Sequence, residues 1–115
     1  MLMKLTLKLE AISQLSLSIF LYFFIFKFSW VYFLIFLFIP DLSIIGYALG
    51  NKSGAYVYNT VHNLVLPTVT FTLGLLTQNT FFLMPALILF THIFMDRTLG
   101  YGLKYPDSFQ HTHLQ

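Results

Sequence analysis

Residues 81–97 read FFLMPALILFTHIFMDR. The first ten are as apolar as a chain allows, and the run then closes on His92, Asp96 and Arg97. Ionisable side chains in a bilayer lose their hydration and are rare there without a partner or a task. The stretch therefore predicts a membrane helix with a polar site at one end.

Composition carries the same message over the whole chain. Of 115 residues, 57% are hydrophobic and 9% are charged, with a mean hydropathy of +0.77. A soluble domain carries about 25% charged residues. So short a chain could not hide that much apolar surface from water, so lipid is its solvent. Cysteine is absent, which removes disulfides, thiolate ligands and thiol nucleophiles together. The net charge of +2 comes from cations scattered between apolar runs, without the basic clusters that nucleic acid requires. The first residues, MLMKLTLKLEAISQLSLSIFLYFFIF, resemble a secretion signal, but the FKFSW region lacks a small-x-small cleavage pattern, so an uncleaved signal-anchor helix is expected.

Four stretches meet the requirement of about 20 mostly apolar residues per span: 9–26, 28–45, 54–76 and 80–99, followed by a polar tail over 100–115. Continuous apolar runs, rather than alternating ones, exclude strands, and four strands could not close a barrel in lipid. The expected fold is an all-α membrane protein, one domain over 1–115, built as a four-helix up-down bundle because its connections KFSW, GYALGNKSG and TQNT are short. Lys4, Lys8, Lys52, Arg97 and Lys104 fall on the face that holds the termini, against Lys27 on the other, so both termini are expected in the cytoplasm. Most of the phenylalanines are expected to face lipid.

That topology draws Glu10, Asp41, Asn59, His62, His92 and Asp96 to the cytoplasmic side. His92 and Asp96 are four apart and share a helix face, as do Asn59 and His62, three apart. Glu10, Gln14 and Ser18 form an i, i+4, i+8 stripe expected to turn inward. Three carboxylates and two imidazoles in one layer need mutual pairing or a cation. Nitrogen and oxygen donors without sulfur suit Zn, Mn, Fe or Co. The competing reading is an ion-pair and hydrogen-bond network in which Asp41 or Asp96 pairs with Arg97 or Lys104 and fixes helix register. A proton-coupled small-solute carrier is a third, and needs a polar path to the far side.

At these residues a resemblance becomes visible. PDLSIIGY at 40–47, YNTVHNLVLP at 58–67 and HIFMDRTLGYGLKYPDSFQHTHL at 92–114, with KLE at 8–10, resemble the small bacterial four-helix membrane proteins grouped as the domain-of-unknown-function family numbered 4260. The resemblance implies a multi-pass inner-membrane protein and marks Tyr58, Asn59, Tyr101 and His113 beside the residues above; it implies no activity. The layout also resembles small membrane-bound metal-dependent hydrolases. The resulting expectation is a divalent-metal site (Zn, Mn or Fe) with Asp41, His62, His92 and Asp96 as ligands, Glu10 as general base, and Arg97 and Lys104 steering the anionic headgroup of a lipid-borne substrate. Asn59, Tyr58, Tyr101 and His113 would support it.

Overall fold

The computed structural model describes residues 2–100 and Gly102. The described residues form helices joined by short turns, without strands. Four helical stretches are long and apolar enough to cross a membrane: Leu2–Ile25, Trp30–Leu49, Asn51–Thr77 and Thr80–Thr98. The first begins well before residue 9, because the amphipathic start LMKLTLK already winds as helix.

Proline decides where the middle two are broken. A proline lacks the N–H that would bond to the carbonyl four residues back, and its ring clashes with that carbonyl. Four residues before Pro40 is Phe36, and α2 (Trp30–Phe36) stops there. The chain continues as a 3₁₀ segment over Ile39–Leu49, with Pro40 in its first turn. Four residues before Pro67 is Asn63, and there the third stretch divides into α3 (Asn51–His62) and α4 (Val65–Thr77). Asn63 adopts an extended conformation, with ψ of 155°, and its side chain closes both broken ends. Its Nδ2 donates to the carbonyls of Asn59 (2.9 Å) and Thr60 (2.7 Å), and its Oδ1 accepts from Leu66 N–H (2.9 Å). Those are backbone groups that a helix end leaves without partners. Pro85 lies within α5 (Thr80–Thr98) without ending it.

α1 (Leu2–Phe20) runs on through a π-helical turn at Leu21–Ile25. α1 and α4 both pack on α5, while the 3₁₀ segment packs on α3. α5 is the central element, with Leu83, Ala86, Leu87, Ile88, Thr91, His92, Ile93 and Phe94 buried. One end of the molecule is filled by an aromatic core about Tyr22, fully buried against Phe33, Leu37, Leu87 and Ile88, with Phe23, Phe26, Phe28, Phe71 and Phe90 around it. The phenylalanines are thus not simply lipid-facing: these six pack inward, whereas Phe20, Phe24, Phe36, Phe38, Phe81 and Phe82 are exposed. The Tyr22 hydroxyl donates to the Ser29 carbonyl, which anchors the turn into α2.

Close approach of the 3₁₀ segment to α3 rests on two glycines. A Cβ on Gly54 would overlap the Tyr47 ring, and one on Gly46 would come within 2.8 Å of the Val57 Cβ. With hydrogen in both places, the hairpin turning at Gly50 (φ 113°) closes and sets Asp41 opposite His62.

Candidate metal centre

Three elements each bring a ligand-type side chain to one point. Asp41 comes from the 3₁₀ segment that Pro40 imposes. His62 is the last residue of α3, just before the break that Pro67 imposes, and His92 and Asp96 lie one turn apart on α5. One nitrogen or oxygen of each lies within 4.8 Å of the other three. His92 Nε2 is 3.1 Å from Asp41 Oδ1, 3.3 Å from Asp96 Oδ2 and 3.2 Å from His62 Nε2. His62 Nε2 is 3.6 Å from Asp96 Oδ2 and 3.8 Å from Asp41 Oδ1.

The surroundings assign the His62 tautomer. Its Nδ1 lies 3.0 Å from the Tyr58 carbonyl oxygen, which can only accept, so the ring proton sits on Nδ1. The Ser43 hydroxyl donates to the Pro40 carbonyl at 2.8 Å and turns its lone pairs toward the same N–H at 3.4 Å. His62 Nε2 therefore presents a bare lone pair to the cluster. The ring is held flat against Tyr58, with centroids 3.7 Å apart and planes inclined by 4°, and the Tyr58 hydroxyl donates to Asp96 Oδ2 at 3.3 Å. Tyr58 thus touches two members of the centre. Phe38 meets the His92 ring edge-on, with centroids 6.2 Å apart.

With the His62 proton on Nδ1, His92 Nε2 can bring at most one proton to a point where it meets two carboxylate oxygens and a second imidazole lone pair. With the Tyr58 hydroxyl proton also on Asp96 Oδ2, two protons serve three acceptors, and the two carboxylates leave the centre short of positive charge. Both histidines are buried, as is most of Asp96 (side chain 15% exposed), whereas Asp41 is 42% exposed and forms the open edge. His92 Nδ1 is buried and, among the described residues, has no hydrogen-bond partner.

Not every expected member is present. Glu10 is exposed on α1, and no hydrogen bond or ion pair joins its carboxylate to the other four. Of its stripe only Ser18 is buried, and that hydroxyl donates back to the Gln14 carbonyl, so the i, i+4, i+8 pattern here does not mark an inward polar face. Among the described residues Arg97 makes no salt bridge to Asp41 or Asp96. The ion pairs of both carboxylates among the described residues are with the two imidazoles. Arg97 instead lines a cleft with Lys4 and Lys8 at the start of α1. Asn59 is half-buried and its carbonyl accepts from Asn63. Lys104, Tyr101 and His113 lie outside the described residues. Ser43 and Phe38 were not legible beforehand; their only signal is that they flank Pro40-Asp41.

The model of the family described as Domain of unknown function (DUF4260) matches residues 4–115, and the chain belongs to that family. No curated protein and no solved structure matches it.

Proposed function

We propose that this member of the family crosses the cytoplasmic membrane four times as an up-down bundle with both ends inside, holds one divalent cation between Asp41, His62, His92 and Asp96, and hydrolyses an ester or phosphoester of a lipid-borne substrate there. The observation that carries the reading is the proton deficit at the centre. Two carboxylates and the bare Nε2 of His62 converge on a position where His92 supplies one proton at most and the Tyr58 hydroxyl one more, to Asp96. A dication satisfies all four atoms at once. Five of the six separations, 3.1 to 3.8 Å, also bracket the edge of a tetrahedron with arms of about 2.0–2.1 Å, which is about 3.3–3.4 Å, and the sixth, Asp41 to Asp96, is within 4.8 Å. The Nδ1–H of His62 on a backbone carbonyl and the Tyr58 hydroxyl on Asp96 are outer contacts of the kind that orient metal ligands.

A cation there would polarise a carbonyl or phosphoryl oxygen and supply a nucleophilic water near neutral pH. The chain's own residues do the rest. Asp41, the open edge, sets the side from which a substrate arrives. Arg97, with Lys4 and Lys8 in the same cleft and with Lys104, attracts an anionic headgroup. The same cleft sets the start of α1 beside the end of α5, which supports the positive-inside orientation. Glu10, exposed on α1 and without a hydrogen bond or ion pair to the four ligands, is not required by this reading.

Elemental analysis of the purified protein tests this reading. One equivalent of Zn, Mn or Fe per chain, lost in His62→Ala and His92→Ala, supports it, as does headgroup release from a total lipid extract that stops on chelation. Well-folded protein free of metal overturns it.

The ion-pair network is favoured by one observation, the lone Nδ1 of His92. If Nε2 carries the proton, Nδ1 is only an unmatched acceptor; if Nε2 binds a cation, Nδ1–H becomes a buried donor without a partner, which is rarer in folded proteins. This second reading predicts a protein whose thermal stability is indifferent to chelators.

A further inference from the structure

We propose that the groove beside the centre is a slot for one long hydrocarbon tail of the substrate, so that the substrate is a tailed amphiphile whose polar group lies at Asp41. The inference rests on the hydrolytic reading above and deepens it. The groove has a volume of about 830 Å³, within the range of about 300–1,000 Å³ for small-molecule sites. Its walls are apolar side chains of α2, the 3₁₀ segment, α3 and α5, with Tyr32, Ser43 and Thr80 as the hydroxyl-bearing exceptions.

Three of the four elements that line it, the 3₁₀ segment, α3 and α5, also deliver a ligand next in sequence to the lining or a turn beyond it. Pro40 and Leu42 flank Asp41, and Val61 precedes His62. On α5, Phe81, Pro85 and Ile88 lead to His92 at successive spacings of four, three and four, which is one helix face. Ser43 joins the two: it lines the groove, and its hydroxyl lies 3.4 Å from His62 Nδ1, so the groove, oily along its length, reaches the ionisable centre through that side chain. From Thr80 to Leu89 it extends roughly 14 Å at 1.5 Å per residue, close to one leaflet's share of a hydrocarbon core about 30 Å thick. All its walls belong to stretches apolar enough to lie in lipid, so a hydrocarbon tail is the occupant the surroundings supply. An amphiphile seated tail-first would carry its first polar bond to the exposed edge at Asp41.

The test uses palmitic acid carrying a mid-chain diazirine, at one equivalent per chain in phosphatidylcholine nanodiscs, with the photolabelled residues mapped by mass spectrometry. Labelling should saturate and concentrate on Ile39, Val61, Met84 and Leu89. It should fall at least fivefold with excess unlabelled palmitate but not with octanoate, and at least fivefold in Ile39→Trp and Met84→Trp. Non-saturating label spread equally over the exposed Leu66, Leu73 and Leu76 overturns the slot. The palmitate-against-octanoate comparison needs no variant, so it decides even where a tryptophan disturbs folding. Metal content measured on the same samples separates the two ideas: metal present with no saturable label removes the slot alone, and saturable label without metal upholds the slot while removing the hydrolytic reading.

Discussion

His62 Nε2 and His92 Nε2 face one another at 3.2 Å, thirty residues apart in sequence, one at the end of α3 and the other on the central α5. Two imidazole nitrogens meet this way only with a proton or a cation between them, and here two carboxylates share the same gap. His92 meets all three other members within 3.3 Å, whereas His62 meets only His92 that closely. Replacing His92 with alanine should therefore abolish metal binding and lower the unfolding temperature more than His62→Ala does. Breaking a buried ionic contact by removing one partner typically costs about 3–5 kcal/mol. Elemental analysis and thermal unfolding in detergent give the two readouts.

Tyr58 touches both His62 and Asp96, so removing only its hydroxyl separates orientation from packing. Tyr58→Phe keeps the ring stacked on His62 but leaves Asp96 Oδ2 without its donor. Loss of such an outer contact weakens metal affinity by about 10–100-fold. Competition against a chelating dye should show that drop with the metal stoichiometry still at one under saturation; an unchanged affinity would mean that the hydroxyl does not orient the carboxylate.

The hairpin between the 3₁₀ segment and α3 depends on Gly54. Adding a methyl there drives it into the Tyr47 ring, and overpacking of this kind costs about 1–3 kcal/mol. Because the same hairpin holds Asp41 against His62, Gly54→Ala should reduce metal binding without touching a ligand. Retention of full metal affinity would show that the ring simply moves aside.

Asn63 closes the break between α3 and α4 with three hydrogen bonds. Asn63→Ala should cost about 0.5–2 kcal/mol, the range for losing a helix cap, and loosen the end of α3 where His62 sits. The expected signature is a lower unfolding temperature together with weaker metal binding.

Tyr22 provides the opposite case. Tyr22→Phe removes the hydrogen bond to the Ser29 carbonyl in the aromatic core and leaves that carbonyl with only the longer bond from Phe33 N–H at 3.3 Å, at a cost of about 0.5–1.5 kcal/mol. The loss should appear in thermal unfolding alone, with metal content unaltered, because the hydrogen bond lies at the turn into α2, and Ile88, where this core comes nearest the centre along α5, is about one turn from His92.

Hydropathy is a local sum along the chain, and for that reason the number of apolar stretches, and the odd closure of FFLMPALILF on His92 and Asp96, could be read from the sequence alone. The i, i+4 spacing of those two needed nothing more than helix geometry. The prolines were legible too, but what they do was not: the carbonyls they deny at Phe36 and Asn63 end two helices, and those ends are where Asp41 and His62 come to lie. Glu10 had the same credentials as the other ionisable groups, polar spacing on an apolar helix, and is exposed all the same, because the face a helix turns inward depends on its neighbours. Tertiary contact alone decided that two imidazoles and two carboxylates meet at one buried point, since burial, tautomer and charge balance are properties of the assembled surroundings and not of any one segment.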